Sequence, residues 1–217
     1  MYTLFTSPNF FRTLSLAGTL FVVLGTLLSA VVYRGREGER YSILNHYISE
    51  LGEKGVGRWA AVFNLGLILG GICLVPACIS LGLILPGIWS KLGMAAGIVS
   101  AVSLALVGVY SMDRIEPHSR AAITYFRSAL VMVIFFTLSI SLQRDTVIIH
   151  RLFSLAGIPA ITSLAVFLVY STILYRRKTG DVPEEKQPRP RVWGITLAEW
   201  MIFLSTVPFF LMLAVGI

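Results

Sequence analysis

Long apolar runs broken by short polar connections organise this chain, and their length sets the elements they predict. A hydrocarbon core about 30 Å thick needs roughly twenty residues of helix to cross it. Six runs meet that length: approximately Leu14 to Tyr33, Trp59 to Leu85, Leu92 to Ser111, Ala121 to Leu142, Leu152 to Tyr175 and Ile195 to Ile217. The first exceeds the apolar stretch of a usual signal peptide and is preceded by one basic residue, Arg12, so it reads as a retained span. These spans predict an all-α, polytopic membrane protein, a single six-helix bundle over 1–217 with no stretch left for a separate soluble domain. Residues 176–194 read as a basic linker, because Pro183, Pro188 and Pro190 follow Arg176, Arg177 and Lys178. Between the first two spans, Ile43, Leu44, Tyr47, Ile48 and Leu51 recur at helical spacing, which predicts a short interfacial helix ended by Gly52.

Packing signals lie inside the spans. Gly66 with Gly70, and Gly93 with Gly97, place small residues four apart, so those helices are expected to approach closely. Pro76, Pro159 and Pro208 each fall within a span and predict local bends. Trp59, Trp89, Trp193 and Trp200 near span ends read as interfacial anchors.

Composition agrees with the bilayer reading. Of 217 residues, 56% are hydrophobic and 13% charged, and the mean hydropathy is +0.79. A soluble domain of this size needs about a quarter charged residues, so cytosolic enzymes, disordered chains, collagens and coiled coils are excluded. Cys73 and Cys78 share one apolar run and give no disulfide framework. The net charge of +7 fits basic loops facing anionic lipid, and nucleic acid is not expected as a partner.

The basic residues are unevenly placed. The face carrying the first, third and fifth connections collects thirteen, from Arg34 to Arg191, against Arg12, Lys91, Arg144 and Arg151 on the other. The positive-inside rule then makes that odd face cytoplasmic and puts both termini outside the cell membrane. Ten of the eleven acids, all except Asp145, also belong to the odd face.

Three groups on this face could carry chemistry. In Tyr41 to Gly52, His46 and Glu50 are four apart and would share a helix face, with Ser42, Asn45 and Ser49 nearby. In Ser111 to Arg120, Pro117 is expected to open the fourth helix, which puts His118 and Ser119 in its first turn. A helix N-terminus disfavours imidazolium, so His118 would stay neutral, and Asp113 could orient it. Arg127, ten residues beyond Pro117, would lie about 15 Å down the helix and is expected to face the bundle interior. Asn64 is a second polar group at similar depth. Walker, GxSxG, HExxH and CxxC motifs are absent from the sequence. His150 belongs to the opposite face, so no three-histidine metal site is expected; His46 and His118 with Asp113 or Glu50 stay open as a set of low specificity.

These stretches, with Phe63-Asn64, Pro117-His118 and Ala121 to Phe126, resemble the prokaryotic membrane family named domain of unknown function 998. That family has a serine and a "hyISeLG"-like stretch after its first span, an asparagine early in the second, and an aspartate and histidine before the fourth. Ser42, Ile48 to Gly52, Asn64, Asp113 and His118 occupy the matching places. The group is more distantly similar to the DRAM autophagy modulators and the GPI-lipid-remodelling membrane proteins. The resemblance implies a six-helix bundle with a polar first loop and a connection to lipids, and it implies no particular reaction or cofactor.

The expected function is recognition of a phospholipid, isoprenoid lipid or other amphiphile at the odd face, with Arg127 and Asn64 holding the head beside Asn45, Ser42 and Ser119. If a reaction occurs there, His118 with Asp113 would act as general base and Glu50 with His46 would position water or a metal, for hydrolysis or transfer at a headgroup. The alternative is a structural or accessory subunit of a membrane complex, or a homo-oligomer, in which these groups only lock helices together. A transporter ranks below both.

Overall fold

The computed structural model describes residues 2–144, 146–177 and 190–217, with side chains except those of Tyr2 and residues 175–177. A single short turn, α1 (Tyr2–Phe5), precedes α2 (Pro8–Val32). Then follow α3 (Ala60–Ile84), α4 (Gly87–Val109), α5 (Ile115–Ser141), α6 (Gly157–Arg177) and α7 (Gly194–Gly216). Helices α2 to α5 and α7, and the segment Arg151–Leu174 that leads into α6, are long and apolar enough to cross a membrane. The chain is a multi-pass membrane protein of all-helical fold, as the apolar runs predict.

Several helices begin before the apolar runs do. α2 starts at Pro8, α4 at Gly87 and α5 at Ile115, because amphipathic first turns extend a helix beyond the bilayer at no apolar cost. Pro117 is the third residue of α5, not the first. Its missing N–H falls in the opening turn, where no helical partner exists anyway. Pro159 likewise lies in the first turn of α6, inside the span Arg151–Leu174 and just after its 3-10 segment Arg151–Ala156. Pro76 and Pro208 do lie inside α3 and α7. Of the expected basic linker, residues 178–189 lie outside the described residues.

Successive helices are antiparallel neighbours, and α7 returns to pack on α2, so the chain closes on itself. The α2–α3, α3–α4 and α4–α5 pairs pack most closely. Glycine is the reason. A Cβ on Gly66 would lie 2.7 Å from the Phe21 carbonyl oxygen and 3.0 Å from the Gly25 Cα. A Cβ on Gly97 would lie 2.7 Å from the Cys78 sulfur. Backbone therefore meets backbone across α2 and α3, which is the close approach expected of small residues in a membrane, where apolar side chains gain little over lipid.

One face of the bundle gathers the 33–59 loop and the 110–114 turn. At the other face, Gln143 is 2% exposed and ties the segment after α5 together. Its Nε2 donates to Ile140 and Ile149 carbonyls at 2.9 and 2.8 Å, and its Oε1 accepts from Ile148 N at 2.8 Å. Arg12 donates to the carbonyl oxygens of Ala214 and Ile217, 3.0 Å each, at the C-terminal end of α7, where a cation suits the helix dipole.

Candidate functional site

The 33–59 loop folds over the end of the bundle as a cap with little regular structure. The interfacial helix expected here is a five-residue 3-10 turn, Ile48–Gly52. Residues 42–46 form a separate turn, in which Asn45 N and His46 N both donate to the Ser42 carbonyl at 3.2 and 2.9 Å. The Ser42 hydroxyl accepts from Leu44 N within the same turn. Side chains at 42 and 46 thus compete with the helix for backbone partners, which is why helical periodicity alone overstates this element.

His46 and Glu50 consequently do not share a helix face. His46 is 3% exposed and packs in an aromatic box, its ring centroid 5.6 Å from Tyr33 and 5.3 Å from Tyr41. Its Nε2 lies 3.7 Å from Glu39. Glu50, 2% exposed, accepts from Tyr47 N at 3.0 Å and caps the 3-10 turn. Asn64 is buried in α3 and its Nδ2 donates 2.9 Å to the Gly52 carbonyl, so it fastens the cap to the helix beneath.

The cap is latched to α7 as well. Ile48 N donates 2.8 Å to Glu199 Oε2. Trp193 N donates 2.7 Å to the Leu44 carbonyl, and Thr196 Oγ1 reaches the same oxygen. Trp200 is no interfacial anchor: it is buried, and its Nε1 donates 3.0 Å to the Tyr41 hydroxyl. Burial, reinforced by the Glu199 charge, pushes the Tyr41 phenol well above its ordinary range and keeps it neutral.

His118 and Asp113 are not a dyad. His118 Nδ1 lies 2.7 Å from the Tyr110 carbonyl oxygen, which only accepts, so Nδ1 carries the proton. This bond joins the end of α4 to the start of α5. Asp113 is exposed and accepts from the Ser111 hydroxyl. That bond, helped by its own N–H and by Lys54, holds its carboxyl below the usual carboxylate range. Ser119 is exposed. Arg127 departs from expectation most: it is exposed on the outer side of α5, along with Arg120 and Thr124. The inner side of α5 at this depth belongs to Phe126 and Ala129, which are buried. Among the described residues, no three His, Cys, Asp or Glu side chains gather as a metal site requires. The His46, His118 and carboxylate set is therefore not assembled.

Beneath the cap lies a cavity of about 90 Å³, walled by α2, α3, α4, α5 and α7 and roofed by Ile48 and Ser49. Its polar groups are Glu199, His118, Ser49, Thr26, Tyr125 and Thr206; the rest is apolar. Val22, Leu104, Tyr125, Thr206 and Val207 also line a second cavity of about 40 Å³ that reaches Cys78 and Met132. The two adjoin as one slot, mainly apolar throughout, with the ionisable groups Glu199 and His118 in the part under the cap. Of the expected site residues, His118 lines it; Ser42, Asn45, His46, Glu50, Asn64, Asp113, Ser119 and Arg127 do not.

Glu199 is the residue that sequence reasoning missed. Counting it among the acids of the odd face hid its position, five residues inside α7 and about 8 Å down the helix at 1.5 Å per residue. A carboxylate within an apolar run was the available signal, since such groups nearly always face a bundle interior or a wet cavity.

A family model described as "Protein of unknown function (DUF998)" matches residues 14–216. No curated protein and no solved structure matches the chain.

Proposed function

Since the chain belongs to the DUF998 family, whose description assigns no activity, we propose from the geometry of its own interior that it binds a membrane amphiphile. The head lies under the cap beside Glu199, His118 and Ser49, and the tail runs along the slot toward Cys78 and Met132. One observation carries this reading: two adjoining, mainly apolar cavities inside a membrane bundle share five lining residues, and the ionisable groups Glu199 and His118 line the one nearest the loops. Ligand pockets share that design, an apolar lining with a few placed polar groups. The site residues expected from sequence keep a role at one remove, because Glu50, Asn64 and the 42–46 turn hold the roof in place. We take the cap face as cytoplasmic, on the excess of basic residues in its loops, and the membrane as the cell membrane.

The test is to purify the protein in mild detergent and identify co-purifying lipids by mass spectrometry. Variants Ala122→Phe and Glu199→Leu would alter the tail slot and the head site in turn. Enrichment of a defined amphiphile, lost in both variants while the protein stays folded, is the expected result. Lipid contents equal to those of the bulk membrane and unchanged in the variants would sink the reading.

The accessory-subunit reading has one observation of its own. Arg127 faces outward inside a span, and no carboxylate among the described residues pairs with it. An acid on a neighbouring protein's helix would compensate that charge. Loss of a co-purifying protein in Arg127→Leu, with lipid contents intact, would favour this reading.

A further inference from the structure

The charges that line the slot restrict what the head can be. We propose, resting on the amphiphile reading above, that the occupant carries a hydrogen-bond-donating amine head and not a phosphate or carboxylate. In a bilayer the tail contributes little selectivity, because moving it from lipid into an apolar slot exchanges one hydrocarbon surroundings for another. Discrimination therefore rests on the head.

Among the described residues that line the cavity, the one acidic side chain is Glu199, with buried Glu50 close enough to act on its charge. Glu199 Oε2 is engaged by Ile48 N, and no hydrogen bond to Oε1 is found among the described residues. Among the described residues no lysine or arginine lines either cavity. His118 spends Nδ1 on the Tyr110 carbonyl, and its ring is also near the Val107 carbonyl. Thr26 and Thr206 donate their hydroxyl protons to Val22 and Ile202 carbonyls, both 2.8 Å, and turn into acceptors toward anything else. The part of the slot under the cap is thus rich in acceptors. An anionic head there would face Glu199 with no cation to offset it, which is the costly arrangement in a low-dielectric site. Thr206 already has the Tyr125 hydroxyl as a partner; an ammonium or amine supplies the donors that the second oxygen of Glu199 and Thr26 lack.

The experiment compares four amphiphiles of one chain length, hexadecylamine, hexadecanol, palmitate and hexadecyl phosphate, by native mass spectrometry of the purified full chain. Wild-type protein is expected to retain hexadecylamine about ten-fold better than the other three, the discrimination of one charge-assisted hydrogen bond. Glu199→Gln keeps an acceptor for Ile48 N and removes the charge; it should abolish that preference. Equal or better retention of hexadecyl phosphate or palmitate overturns the amine assignment and leaves the amphiphile reading standing. Hexadecanol retained as well as the amine, or an amine preference that survives Glu199→Gln, overturns it too. Retention of none of the four, with no lipid co-purifying, overturns both. The wild-type comparison needs no variant, so misfolding of Glu199→Gln leaves the proposal open to refutation.

Discussion

A buried polar side chain in a membrane protein either fastens backbone or faces a ligand, and its bonding partners tell the two apart. Asn64 fastens backbone: its amide reaches the Gly52 carbonyl and does not line the slot. Asn64→Leu keeps the volume and leaves that carbonyl without a donor, which is expected to cost about 1–3 kcal/mol. Thermal unfolding in detergent would read the loss. Unchanged stability with loss of a bound lipid would show instead that Asn64 touches the head. Asp113 offers a pH test. Its carboxyl is held below the usual range by the Ser111 hydroxyl, so the folded protein favours its charged form. The stabilisation is therefore present above the ordinary carboxylate pKa of about 4 and is lost as pH falls through the lower folded value. The group is exposed, so the effect is small. Relative to wild type, Asp113→Asn should show a shallower fall in melting temperature between about pH 5 and pH 3. Parallel curves would exclude the Ser111 tie as a contributor.

At the scale of elements, the tight half of the bundle depends on glycine, and the two glycines of the α3 stripe are not equivalent. A methyl at Gly66 meets the Phe21 carbonyl and the Gly25 backbone, which cannot yield without moving a helix. A methyl at Gly70 meets chiefly the Val22 side chain, which can change rotamer. Gly66→Ala should cost about 1–3 kcal/mol and more than Gly70→Ala. Equal losses would mean that α2 and α3 separate freely. The cap is an element of a different kind. Its positions 41–52 carry helical periodicity, yet five residues form a 3-10 turn and the remainder bonds to itself and to α7. Periodicity records which side chains are apolar; it does not record that Ser42 and Glu50 offer the backbone other partners.

For the whole molecule, orientation is open to direct measurement. With the cap inside, a cysteine at exposed Glu37 should be shielded from a membrane-impermeant thiol reagent in intact cells, and one at exposed Leu142 should react. The reverse pattern would place the cap outside. How much of the molecule could be read beforehand differs between fold and site. All six spans were legible, because the bilayer imposes a minimum apolar length that any crossing helix must satisfy. The close helix pairs were legible from glycine spacing. The site was legible only in its neighbourhood. His118 lines the slot as one of the residues named in advance, whereas Arg127 faces outward and Glu199, counted only as a loop-face acid, lies at the head position.

The chain by itself therefore decided how many helices cross, where they begin to within six residues, and which face gathers the ionisable groups. Those properties follow from solvent: each segment answers alone to water or hydrocarbon. Which side of α5 Arg127 occupies, that Asp113 leaves His118 for Ser111, and that Glu199 meets Ile48 and the slot were decided only on packing. Helix rotation is set by the neighbours a side chain meets after folding, and residues 151 positions apart meet only when the ring of helices has closed.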